Sequence, residues 1–206
     1  MIEPGLFDMI MRLRSSAISD TRVLRAMETI RRSLFVGEDL IDRAYEELAL
    51  PIACGQTLPP PLTIAILLQT LDVSPDHKVL HIGTGSGYTT ALLAKMCKRV
   101  YGVERYKTLL EQAEARIRPL AHNFVLRHGD GRLGWKGQAP FDRILISASV
   151  RVLPVALQEQ LKPDGLIVGV VGDRLVKGWF SRKKLREADI LPMSLTPLEP
   201  GKSKTL

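Results

Sequence analysis

The sequence has little cysteine, few aromatic residues and no long apolar run, and each shortage excludes something. Two cysteines in 206 residues, Cys54 and Cys97, cannot build a disulfide framework or a four-cysteine zinc site. The expected compartment is the cytoplasm, with both thiols reduced. No stretch reaches the ~20 apolar residues of a membrane span, so no membrane partner is expected. The opening Met1-Ile2-Glu3-Pro4-Gly5 lacks the basic start and small-residue cleavage site of a secretory signal. Aromatic residues make up 5% of the chain and are not interleaved with the basic ones, so nucleic acid is not an expected partner. The four histidines, His77, His81, His122 and His128, show no ligand spacing with cysteines or carboxylates, and no metal is expected. No nucleophilic triad is legible.

What is present describes a soluble globular chain. The hydrophobic fraction is 45% and the charged fraction 25%, ordinary values for such proteins. The length suits one domain, divided here into 1–76 (helices and a loop), 77–172 (an alternating core) and 173–206 (last strands and tail). The net charge is +7. The basic excess gathers at Arg12, Arg14, Arg22, Arg25, Arg31 and Arg32, and again over residues 177–186 with Lys202 and Lys204. Such a surface attracts polyanions and also any carboxylate-bearing substrate.

Apolar residues at helical spacing over residues 5–47 predict helix, interrupted at Ser19-Asp20-Thr21, which supplies an N-cap. Residues 51–61, with three consecutive prolines, read as a loop, and 62–71 as a short apolar helix. From Lys78 strand and helix alternate. Strands are expected at 78–82, 99–104, 123–127, 141–147 and 166–171, and helices at 88–98, 106–117 and 153–161. Two more strands, 174–180 and 190–195, are expected antiparallel at an edge, with a loose tail from about 199. Strand–helix alternation at this spacing implies a parallel sheet covered on both faces. The expected fold class is α/β: a Rossmann-like, doubly wound, mostly parallel sheet of about seven strands, with an N-terminal helical extension.

The strongest local signal is Ile82-Gly83-Thr84-Gly85-Ser86-Gly87-Tyr88. A glycine turn between a strand and a helix is the geometry for a cofactor at the carboxyl end of a parallel sheet. The spacing is G-x-G-x-G rather than the dinucleotide G-x-G-x-x-G, which is closer to an S-adenosylmethionine loop. Glu104 ends the second strand, where an acidic residue can accept hydrogen bonds from both ribose hydroxyls. Asp130, in Gly129-Asp130-Gly131, follows the third strand, where an adenine amino group could be bound.

With these residues placed, the chain resembles the protein-L-isoaspartate O-methyltransferase family of class I S-adenosylmethionine-dependent enzymes, from about residue 12 to 195. The glycine loop, Val103-Glu104-Arg105, Gly129-Asp130-Gly131 with Gly134-Trp135, Ala139-Pro140-Phe141-Asp142 and Leu161-Lys162-Pro163-Asp164-Gly165 are similar to its landmarks. Upstream, Arg32-Ser33-Leu34-Phe35-Val36, Ala44-Tyr45 and Pro51-Ile52 followed by Gly55-Gln56-Thr57 resemble its N-terminal section and substrate loop. This part is the specific one, since many methyltransferases share the glycine loop.

The resemblance implies methylation of the free carboxylate of L-isoaspartyl and D-aspartyl residues in damaged proteins, for repair through a succinimide. S-adenosyl-L-methionine would be held by Gly83, Thr84, Gly85, Ser86, Gly87, Tyr88, Glu104, Arg105, Asp130 and Gly131. The substrate would be held by Gly55, Gln56, Thr57 and Leu58, with Thr57 and position 59 at the reacting carboxylate. A carboxylate is already a nucleophile, so positioning alone can supply ~7–11 kcal/mol.

Three departures bear on the acceptor. Pro59 stands where the family has a serine. A hydrogen bond to a charged group contributes roughly 1.5–3 kcal/mol, so its loss predicts a reaction about 10- to 150-fold weaker. His81 replaces a common acidic residue and is expected to weaken binding of the positively charged donor. Ser147-Ala148-Ser149-Val150 replaces an alanine-rich run. The alternatives are therefore a methyltransferase of the same fold with another acceptor, or a catalytically weak S-adenosylmethionine-binding protein.

Overall fold

The structure, a computed structural model, describes residues 3, 5–16, 18–181 and 184–203. Arg182, Lys183 and Lys204 of the basic clusters lie outside the described residues, as do Met1, Ile2 and Pro4 of the opening segment.

Two helices open the chain, α1 (Leu6–Ser15) and α2 (Thr21–Thr29). The Asp20 carboxylate caps α2 by accepting from Arg22 N–H at 2.8 Å, as an N-cap should. A hairpin follows, β1 (Leu50–Ile52) and β2 (Gln56–Leu58), then α3 (Pro61–Leu71). Proline at the first helical position suits α3, because the missing N–H is an orphan there anyway. Pro60 has no side-chain cap to offer; the Glu47 carboxylate accepts from Leu62 N–H instead, at 3.0 Å.

The alternating part is β3 (Lys78–Ile82), α4 (Tyr88–Met96), β4 (Arg99–Glu104), α5 (Lys107–Ile117), β5 (Phe124–His128), β6 (Phe141–Val150), α6 (Val155–Gln158), β7 (Leu161–Val171), β8 (Arg174–Ser181) and β9 (Lys184–Pro192). The seven-stranded sheet runs β5-β4-β3-β6-β7-β8-β9. It is parallel from β5 to β7, and β8 and β9 complete it antiparallel. The strand order reverses at β3, which pairs with β4 on one side and β6 on the other. In open α/β sheets that is where the crevice for a ligand forms.

Alternation within each strand divides the core between the two faces. Val79, Val100, Leu145 and Val168 join the side chains of α1 to α4 on one face. Leu80, Ile82, Ile144, Ile146 and Ile167 pack with α6 on the other. The α4 helix is buried almost throughout, because α2 packs over it. The N-terminal extension is thus a second layer on one face of the sheet.

Four expectations need correction. Helix over 5–47 stops at Thr29: Ile30 takes extended backbone (φ −94, ψ 104), and 3-10 turns at Arg32–Phe35 and Glu38–Arg43 follow. Those turns let Arg32 and Phe35 reach the interior, where both are fully buried. The loop at 51–61 contains the β1–β2 hairpin; Cys54 at φ 59 and Gly55 at φ 65 are the two left-handed residues that turn it. The helix at 153–161 shrinks to Val155–Gln158, and Leu161 already belongs to β7. The last strand starts at Lys184 rather than 190, in antiparallel register with β8.

Candidate active site

The carboxyl ends of β3, β4 and β6 open on one cleft, lined by Gly83, Gly85, Glu104, Arg105, Gly131 and Ser147 among others. Its floor is the turn between β3 and α4. Gly83, Gly85 and Gly87 all have positive φ, at 80, 54 and 98, a region that L side chains rarely adopt. At Gly87 an added Cβ would also lie 3.0 Å from Ala113 Cβ, so the turn needs glycine on two counts.

Glu104 ties the floor together. Its carboxylate accepts from Gly85 N–H at 2.9 Å, Arg105 N–H at 2.8 Å and Tyr106 N–H at 3.0 Å. It joins the glycine turn to the end of β4 while facing the cleft. Two hydroxyls in the turn, Thr84 Oγ1 and Ser86 Oγ, are buried with no hydrogen-bond partner among the described residues.

The hairpin forms one wall. Ile52, Gln56, Thr57 and Pro59 line the cleft from this side. A Cβ added at Gly85 would meet Ile52 Cδ1 at 3.5 Å, so hairpin and glycine turn are in close approach. Gln56 Nε2 donates to Cys54 O at 3.3 Å, which steadies the turn.

The opposite wall comes from residues 196–203, where the sequence predicts a loose tail from about 199; over its described residues that tail is held in place. Thr196, Pro197, Leu198 and Glu199 line the cleft. Ser149 N–H donates to Thr196 O at 2.9 Å and Leu198 N–H to Ser149 O at 2.8 Å. Further along, Gly201 N–H donates to Asp130 Oδ2 at 2.8 Å and Ser203 N–H to Arg105 O at 3.0 Å. Residues 196–203 are therefore a strap pinned at the ends of β6, β4 and β5. Its two prolines, Pro197 and Pro200, were the available signal, since proline stiffens a chain that must stay extended.

The expected site residues divide into two groups. Gly83, Gly85, Glu104, Arg105, Gly131, Gln56, Thr57 and Pro59 line the cleft. Tyr88 turns away from it: the ring is fully buried, packed on Phe35 at 5.4 Å beneath the Arg32 guanidinium. Leu58 is also buried, paired with Leu50 across the hairpin, and Gly55 shapes the hairpin turn. Asp130 sits behind Gly131, its carboxylate taken by Gly201 N–H and by Arg132, whose backbone N–H is at 2.9 Å and whose guanidinium is at 3.1 Å. Burial alone would raise its pKa, but these hydrogen bonds outweigh burial and hold it below the ordinary value.

His81 differs from expectation. It is fully buried on the face of β3 that meets α4, and desolvation pushes its pKa down to about 3. The imidazole is neutral at any working pH, so it brings no positive charge to repel a cationic donor. Its ring nitrogens lie 2.8 Å from Thr90 Oγ1 and 2.8 Å from Ser147 Oγ.

The lining holds no histidine, lysine or cysteine, and no group of residues suited to a metal occurs among the described residues. Burial, then the Glu104 carboxylate, push the Cys54 thiol pKa up, which keeps it protonated. Such a cleft can bind and orient; the carboxylates in its lining are Glu104, held by three backbone N–H groups, and the exposed Glu199 of the far wall. An S-adenosylmethionine-type ligand fits this set. The glycines leave the backbone approachable, Glu104 offers a carboxylate at ribose distance from the turn, and orphan hydroxyls lie in the loop. Among the described residues no helix is long and apolar enough to cross a membrane.

Comparison with known proteins agrees with this geometry. The sequence profile of the family described as protein-L-isoaspartate(D-aspartate) O-methyltransferase matches residues 7–191. A protein-L-isoaspartate O-methyltransferase of Paramagnetospirillum magneticum is 47% identical over 206 residues, covering 97% of this chain and 96% of that protein. One from Maricaulis maris is 42% identical, covering 99% and 98%. A solved Plasmodium falciparum structure of the same description, in complex with S-adenosyl-L-homocysteine, superposes with a TM-score of 0.81 over 93% of this chain and 97% of that one, at 22% identity; at that identity the likeness concerns the fold. The chain belongs to the protein-L-isoaspartate(D-aspartate) O-methyltransferase family.

Proposed function

We propose that this protein methylates the free carboxylate of L-isoaspartyl and D-aspartyl residues in damaged proteins, using S-adenosyl-L-methionine, and does so in the cytoplasm. The observation that carries the reading is the meeting of the glycine turn and the Gln56–Thr57–Pro59 wall in one cleft. A generic cofactor floor and a family-specific acceptor wall are thereby joined.

Bound on the floor, the cofactor supplies an electrophilic methyl group that a carboxylate oxygen can take directly. The chain's own residues then have only to bind, orient and exclude water. Gly83 and Gly85 let the ligand approach the backbone. Glu104 accepts from ribose hydroxyls while its other contacts keep the turn closed. Gly131, held from behind by Asp130, faces the adenine end. Gln56 and Thr57 hold the acceptor residue over the floor, and the strap closes the far side. A carboxylate nucleophile is already ionised at neutral pH, so this reaction needs no general base.

The test is transfer of labelled methyl from S-adenosylmethionine to an isoaspartyl peptide, beside the same peptide with normal aspartate. Transfer to the isoaspartyl peptide alone is the expected result. A second reading, another carboxylate or hydroxyl acceptor, is favoured by one feature: Pro59 and Pro60 give that wall no N–H and no hydroxyl. Tight cofactor binding with no transfer to either peptide would select it.

A further inference from the structure

Two features stand out once the cleft is described. The hairpin wall reaches the cleft with a proline at position 59, which has neither hydroxyl nor N–H to donate. On the neighbouring side Ser147, half-buried at the carboxyl end of β6, lines the same cleft and is tied from behind to a fully buried histidine.

The proton count along this chain has one economical solution. Thr90 is fully buried, and His81 Nδ1, at 2.8 Å, is the only partner of its hydroxyl among the described residues. A buried hydroxyl has one proton to place and lone pairs it can more easily leave unused. Thr90 O–H therefore donates to Nδ1. The ring is neutral, so its single N–H is on Nε2, and it donates to Ser147 Oγ at 2.8 Å. Ser147 Oγ accepts there, which leaves its own O–H free to turn into the cleft. The opposite tautomer would spend the Ser147 proton on the ring and strand the Thr90 proton in the core.

We propose that Ser147, its oxygen held by His81, donates a hydrogen bond to the carboxylate that receives the methyl group. Ser147 is then a catalytic residue in contact with the acceptor, and His81 and Thr90 are positioning residues acting through it. Burial keeps the imidazole neutral, so the direction of donation does not change across the working pH range. This inference rests on the methyl acceptor being a carboxylate, as in the function proposed above.

The test uses the full chain, an isoaspartyl peptide and calorimetry with S-adenosylhomocysteine. Ser147→Ala should lower kcat/KM about tenfold and leave the S-adenosylhomocysteine Kd within twofold. Ser147→Thr, which restores a hydroxyl, should recover most of the rate. His81→Phe, which removes the ring donor behind Ser147, should lower kcat/KM part of the way towards Ser147→Ala and leave the S-adenosylhomocysteine Kd within twofold. Adding Pro59→Ser to Ser147→Ala should restore part of the lost rate by supplying a donor from the other wall, which a merely structural defect would not allow. Thermal melting of each variant separates loss of fold from loss of function. The proposal is overturned if Ser147→Ala matches the wild type, if its cofactor Kd rises in step with the rate loss, or if neither Ser147→Thr nor Pro59→Ser rescues it. A wild type that methylates no isoaspartyl peptide would instead remove the function reading, and this inference with it.

Discussion

At the floor of the cleft Glu104 receives three backbone N–H groups and three glycines hold positive φ. At the rim, the hairpin pairs over three residues, and the strap is pinned by four backbone N–H hydrogen bonds and by the Arg105 guanidinium, which donates to Gly201 O at 3.4 Å and Pro200 O at 3.3 Å. The floor is thus determined by conformational necessity: a side chain at any of its three glycines would be held at positive φ, and at Gly87 it would also crowd Ala113. The rim is held by contacts between segments far apart in the chain, spread along the hairpin and the strap. The contrast explains why the two ends of one site carry different kinds of information. In the function proposed above, the floor takes the cofactor, which many enzymes share, and the rim takes the acceptor.

The predictions that separate the two regions run from large to small. Glu104→Ala should raise the Kd for S-adenosylhomocysteine about 10- to 150-fold, the value of hydrogen bonds to a charged group; calorimetry reads this directly, and unchanged affinity would remove Glu104 from the floor. Removing residues 195–206 should raise the Kd for both cofactor and peptide roughly tenfold, equivalent to about 1.4 kcal/mol, with far-UV circular dichroism unchanged. If only peptide binding suffers, the strap belongs to the acceptor alone.

Gly87→Ala should destabilise the fold by about 1–3 kcal/mol, through strain and overpacking against Ala113, seen as a lower urea midpoint. Pro59→Ser, a rim change, should leave stability nearly untouched and raise kcat/KM on an isoaspartyl peptide by about threefold, less than a full charged hydrogen bond because Ser147 already donates. The smallest effect concerns acid. The Asp130 carboxyl is held below its ordinary 3.8 in the folded state. Its contribution is present above about pH 4 and is lost as pH falls through the folded value. The melting temperatures of wild type and Asp130→Asn should therefore differ at pH 7 and converge in more acid solution.

Much of the floor was legible in the sequence because local chemistry dictates it. Lys78–Ile82 and Arg99–Glu104 have the limits expected from their apolar runs, and the glycine spacing allows only a tight turn. The rim was harder to read because its structure depends on distant partners. Pro51 and Pro59 argued against strands, yet a three-residue hairpin needs few N–H groups and places its prolines where none is required. Residues 30–47 kept helical spacing, but burying Arg32, with Nε donating to Ala44 O at 2.7 Å, broke the run into short turns. Likewise Ser147 was visible as a departure from an alanine-rich run. That it meets His81 is a fact of β3 and β6 pairing side by side, which no local pattern contains.

The strap also makes one wall of the cleft act as a unit. Residues 196–203 bridge the ends of β6, β5 and β4 through Ser149, Asp130 and Arg105. Loosening any one of these contacts therefore frees its neighbours, and hydrogen exchange at the Leu198 and Gly201 amides would report the wall's state as a whole.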